Sequence, residues 1–203
     1  MKYAKPLGIG AAAALFVLIV VTLMLGATSS DQDMAGMNMP GMAMSEMDMT
    51  SQLSGLEGEA FEVGFMSMMI AHHQSATEMA QWILERSDDT RIAEAAQKII
   101  DEQATEIDQM TTWLQDWYDQ EPDAEMMSMM QEMMGSMMQT MMDAEDPERA
   151  FLAGMSEHHD GAIDMAQLAL LQSTHPELRT LGRDIIVAQA EEIDQFQTWL
   201  AER

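Results

Sequence analysis

The sequence contains no cysteine. Disulfides, thiolate metal sites and lipid attachment through a cysteine are therefore excluded. Basic residues are scarce: 9 Lys and Arg stand against 35 Asp and Glu, a formal charge of −26. No basic patch can be assembled, which argues against nucleic acid and anionic membrane surfaces as partners. Such a surface suits a solvent-exposed protein that meets cations, and equally a protein of a salty habitat. Strand signals are missing too, with no alternating Val, Ile and Thr runs and no Asn-Gly hairpins. Neither a nucleophile–base set nor a phosphate-binding loop can be found. What the chain has in excess is methionine, 26 of 203 residues, far above ordinary usage.

Lys2 and Lys5 precede an uncharged run from Leu7 to Ala27. About 20 apolar residues can span a bilayer, and the basic flank stays inside. Residues 1–27 thus read as a transmembrane anchor, with a cleaved signal peptide as the alternative. Leu25 at the small-residue position before the cut fits a cleavage site poorly. On either reading the remainder works outside the cytoplasm, periplasmic, secreted or at the cell surface, and touches membrane only through residues 7–27. Residues 28–56, rich in Ser, Gly, Asp and Met with Pro40, read as a disordered tether.

Beyond the tether lies an internal repeat. "FMSMMIAHHQSATEMAQ" (65–81) returns as "FLAGMSEHHDGAIDMAQ" (151–167), and "IIDEQATEIDQMTTWL" (99–114) returns as "IIVAQAEEIDQFQTWL" (185–200). Both offsets are 86, so a two-helix unit is duplicated with no insertion inside it. Helix stops agree: Ser87-Asp88-Asp89, Glu121-Pro122, Asp146-Pro147 and Thr174-His175-Pro176. The pattern predicts an all-α four-helix bundle over 57–203, built from two αα-hairpins. Repeat one spans 57–122 and repeat two 145–203. A Met-rich linker helix, 123–144, joins them.

Helical periodicity places Phe61, Phe65, Met69, His72, Ala76, Met79 and Ile83 on one buried stripe, with His73 at its edge. The second copy places Phe151, Met155, His158, Ala162, Met165 and Ala169 likewise, with His159 at the edge. On the partner helices Glu106 and Glu192 stand at equivalent positions, near Met110 and Phe196. Each half is thus expected to aim a His, two Met and a Glu inward. An interior His or Glu is costly unless paired or ligated. One reading is a buried His–Glu hydrogen bond that fixes register. The other is a metal. Glu-x-x-His is the di-iron ligand pair of helical bundles, but Met69 and Met155 occupy the position three before the inner His. Thioether with imidazole favours Cu(I), with Ag(I) or Cu(II) possible.

The tether carries Met34, Met37, Met39, Met42, Met44, Met47 and Met49, at alternating steps of three and two. Gly36, Pro40 and Gly41 prevent a helix, so these thioethers are free to wrap a soft ion. They carry no titratable proton and form no disulfides in an oxidising compartment. A sacrificial oxidant trap is the rival reading. In 126–142 Met pairs recur at steps of three and four, which suits a packed or partner-binding helix as well as a soft-metal band.

At these residues the chain resembles a known family. It is similar to a ferritin-like, extracytoplasmic family catalogued as a domain of unknown function, number three hundred and five. The matching positions are Phe65, Met69, His72, His73, Ala76, Met79 and Ala80, then Glu106, Ile107, Met110, Trp113 and Leu114. Their counterparts are Phe151, Met155, His158, His159, Ala162, Met165 and Ala166, then Glu192, Ile193, Trp199 and Leu200. The resemblance covers roughly 57–203. It implies a helical bundle and, for its Met- and His-rich members, periplasmic copper binding. The metal ligands expected are Met69, His72, Met79, Glu106 and Met110, with His73 as an outer ligand. Met155, His158, His159, Met165 and Glu192 form a second set, weakened by Phe196. The expected role is to sequester or transfer Cu(I), with a copper exporter or chaperone as partner and no catalysis. A ferritin-like metal oxidase and a metal-free Met-lined binding module are the alternatives.

Overall fold

The computed structural model describes residues 50–203. The expected anchor and Met34, Met37, Met39, Met42, Met44, Met47 and Met49 lie outside the described residues. The described chain is all helical: α1 (Ser51–Ser54), α2 (Gly58–Leu84), α3 (Thr90–Tyr118), α4 (Ala124–Met142), α5 (Pro147–Gln172) and α6 (Pro176–Ala201). The two expected hairpins are α2–α3 and α5–α6, and the expected linker helix is α4. Among the described residues no helix is long and apolar enough to cross a membrane.

The helix ends follow from local chemistry. Asp89 accepts from Arg91 N, Asp123 from Glu125 N and Met126 N, and Asp146 from Arg149 N. Each satisfies amides that a helix N-terminus leaves orphaned. Asp119 closes α3 in the left-handed region at φ 53°, three residues before Pro122. The last junction departs from expectation. His175 occupies the cap position of α6 but makes no side-chain cap bond; its ring is engaged across the bundle.

That engagement sets the relation of the two halves. Glu62, near the start of α2, accepts from Thr174 N (2.5 Å), Thr174 Oγ1 (3.0 Å) and His175 N (3.0 Å) at the end of α5. At the opposite end Ser87 Oγ donates to Glu148 Oε1 at 2.6 Å, tying the end of α2 to the start of α5. Helices α2 and α5 therefore run antiparallel. Glu62 and Glu148 are themselves repeat equivalents (62 plus 86), so the duplication locks itself together with the same carboxylate twice. Gly182 lets α6 approach α5 closely: a Cβ there would lie 3.0 Å from Ala166 O, so any side chain would push the backbones apart.

Two expectations need correction. Helix α2 is not a one-faced stripe: every residue from Phe61 to His73 is buried, because α4 covers the face that periodicity assigned to solvent. A helix enclosed on all sides tolerates apolar residues all round. The segment expected as a tether, 28–56, also ends in a helix among the described residues. Its last residues form α1, Leu53 is fully buried and Leu56 packs against the core.

Candidate metal centre

The four repeat histidines meet in the middle of the bundle. His72 of α2 and His158 of α5 face each other with ring centroids 3.7 Å apart. His73 stands 6.2 Å from His72, and His159 stands 6.1 Å from His158. The four rings form one row across the antiparallel α2–α5 contact, and all four are fully buried. The row ends in carboxylates. His73 Nε2 bonds Glu106 Oε2 at 2.7 Å. His159 Nε2 lies 2.8 Å from Glu192 Oε2, an ion-pair distance, but without hydrogen-bond alignment. Lys98 Nζ braces Glu192 from the other side at 2.7 Å.

This reverses one expectation. The edge histidines, His73 and His159, are not at the rim; they are buried and hold the glutamates. The inner pair, His72 and His158, faces no Glu at all. The reason is helical geometry: neighbouring residues on a helix diverge by about 100°, so one ring of each pair points to the partner hairpin's helix and the other to its own. Neither periodicity nor the repeat told which His met the Glu.

Six of the eight ring nitrogens have no polar partner: both of His72, both of His158, and Nδ1 of His73 and His159. Gln103 Oε1 and Gln189 Oε1, buried nearby in sequence on α3 and α6, are also unpartnered. A buried polar group left unpaired costs about 1–3 kcal/mol. Burial, reinforced by the neighbouring imidazoles, holds His72 and His158 well below the ordinary histidine pKa. Both rings are neutral, with lone pairs available and no proton to displace. Burial pushes Glu192 up, but His159 and Lys98 outweigh it and hold the carboxyl below its usual value.

The methionines regroup around this row. Met69, Met110 and Met165 share one side of the core; Met79 and Met155 share the other. All five are fully buried. Because α2 and α5 are antiparallel, the Met three before one inner His meets the Met seven after the other. The expected grouping by repeat (Met69 with Met79) is therefore replaced by grouping across repeats. Phe196, the counterpart of Met110, instead packs against Phe151 and His159, with centroids 6.0 and 6.2 Å away. Among the described residues no three His, Asp or Glu converge on a point as a ready-made cation site. What the centre offers is softer, two neutral imidazoles, each with a buried methionine one turn earlier on its own helix.

The family's sequence pattern, described as a domain of unknown function, DUF305, matches residues 20–110 and 62–200. The chain belongs to the DUF305 family. No curated protein matches the sequence. Solved structures do. CopM in its Cu(I)-bound form is 29% identical, with a TM-score of 0.60 over 70% of this chain and 96% of that one. CopM in an Ag-bound form is 30% identical, with a TM-score of 0.61 over 70% and 95%. A candidate secreted DUF305 protein from Streptomyces coelicolor is 27% identical, with a TM-score of 0.62 over 70% and 92%. Structures similar to this chain thus include CopM with bound copper and silver, and a DUF305 protein.

One polar cluster escaped the sequence reading. Glu62 is fully buried and also accepts from the Tyr118 hydroxyl and, at 2.6 Å, pairs with His175 Nδ1. The His175 ring stacks flat on Trp117 at 3.9 Å. The available signal was a lone carboxylate inside the apolar run 61–73.

Proposed function

We propose that this protein is an extracytoplasmic copper-binding protein that takes up Cu(I), and also Ag(I) or Cu(II), at the centre of its bundle. The observation that carries the reading is the row of four buried imidazoles with six unpartnered nitrogens. A protein interior rarely leaves so many polar atoms unsatisfied without a ligand to satisfy them. His72 and His158 would hold the ion, with thioethers from Met69 and Met165 or from Met79 and Met155 completing a soft set. Imidazole suits copper and thioether selects its reduced ion. Glu106 and Glu192 act one step out: each orients an outer histidine, the arrangement that tunes ligand basicity in metal sites. Binding of copper and silver by CopM supports the choice of metal. The role is sequestration or hand-over of the ion for tolerance, not turnover, with an exporter or chaperone as recipient.

The test is anaerobic titration of the full chain with Cu(I) against a competing chelator. The expected outcome is retention tighter than about 1 μM; weaker binding sinks the reading. Oxygen consumption on addition of Cu(I) or Fe(II) would replace it with a metal oxidase.

A further inference from the structure

The proposed centre has a difficulty of access. His72 and His158 are fully buried, and two surface clefts lie away from them, one along Trp113 and Pro176, the other along Leu56 and Met126. A bare cation crossing an apolar layer carries a large desolvation cost. On one side of the centre, however, the layer is not inert. Met142 of α4 is 44% exposed. Met138, one turn earlier, is half-buried against the core cluster that contains Met137 and Met141, 8% and 3% exposed. Met79 and Met155 belong to the same cluster and are fully buried. The nearest atoms to a Cβ placed on Gly154 are Met79 Cε at 3.6 Å and Met141 Sδ at 4.0 Å, so α4 and α2 thioethers meet over α5 at that point. Met155 then stands one turn from His158 on α5.

Resting on the copper reading above, we infer that Met142, Met138, Met141, Met137, Met79 and Met155 form a thioether route by which Cu(I) or Ag(I) passes from solvent to the histidine centre. Sulfur replaces sulfur at each step, so the ion is never bare and no proton moves. Met also serves as a core filler, but filling does not require it at the exposed position 142 or the half-buried position 138. In this account α4 is a conducting cover whose end at Met142 opens to solvent.

The experiment is stopped-flow uptake of Cu(I), supplied anaerobically as its bicinchoninate complex, by the full chain and by Met137→Leu/Met141→Leu. Leu conserves volume and is well tolerated in cores. The expected result is uptake slowed about tenfold, as for one hop that has lost its ligand, with equilibrium affinity within about threefold of wild type. Met126→Leu/Met127→Leu, at the other end of α4, loads at the wild-type rate. Met142→Leu changes one exposed side chain, leaves folding intact and also slows uptake. Unaltered rates in both Met137→Leu/Met141→Leu and Met142→Leu, with wild type binding normally, overturn the route and leave the copper reading standing. Failure of wild type to take up Cu(I) at all overturns the copper reading and the route together.

Discussion

Glu62 shows how much one side chain can organise. It is a carboxylate without solvent exposure, satisfied by Thr174, His175 and Tyr118. Burial raises its pKa, but these hydrogen bonds outweigh burial and lower it from 4.5 to about 2. A depressed carboxyl pKa adds stability that is fully present above pH 4.5 and lost as the pH falls towards 2. Acid unfolding monitored by circular dichroism is expected to show a loss within that window, absent in Glu62→Gln. At neutral pH the same variant is expected to lose about 2 kcal/mol in urea melts, because donors are left without their anion. The histidines divide similarly between what periodicity could and could not tell. The place of His72 and His158 in the interior followed from the stripe; that of His73 and His159, expected at its edge, did not. The pairing of His73 rather than His72 with Glu106 did not, because both residues project from one turn and only the neighbouring helices decide which ring meets which partner.

At the scale of elements, the duplication made the hairpins legible: an unbroken offset of 86 fixed four helices and their stops. The antiparallel setting of α2 on α5 was not legible. It arises from the Glu62 and Glu148 contacts, whose partners are distant in sequence, and it redistributes the methionines across repeats. Helices α1 and α4 belong to the same lesson. Each covers a face of α2 that the 3.6-residue period alone leaves to solvent. Leu53→Ala in α1 is expected to cost about 2–4 kcal/mol in chemical denaturation, since the side chain is fully buried. Helix α4 packs on only one side, through methionines at 130, 133, 134, 137 and 141. Native-state hydrogen exchange is expected to find its amides opening at lower free energy than those of α2 and α5; equal protection would remove α4 as a cover.

The whole molecule carries a net charge of −26. Like charges on a compact surface repel, and salt screens them over about 8–10 Å at physiological strength. Raising NaCl from about 0.1 to 1 M is expected to raise the melting temperature by several degrees. A fall would mean that ion pairs such as Arg203 with Asp89 and Glu148 outweigh the repulsion. The same field draws cations to the surface; under the proposed function the centre selects among them by softness rather than by charge.

The central claim is that the two repeats build one shared site, not two. It is tested most directly by comparing tight Cu(I) retention, under chelator competition, in wild type, His72→Ala and His72→Ala/His158→Ala. A shared site predicts that the single substitution removes as much tight binding as the double, because the two rings act as a unit. Loss of about half the tight binding in the single variant and all of it in the double would contradict the account.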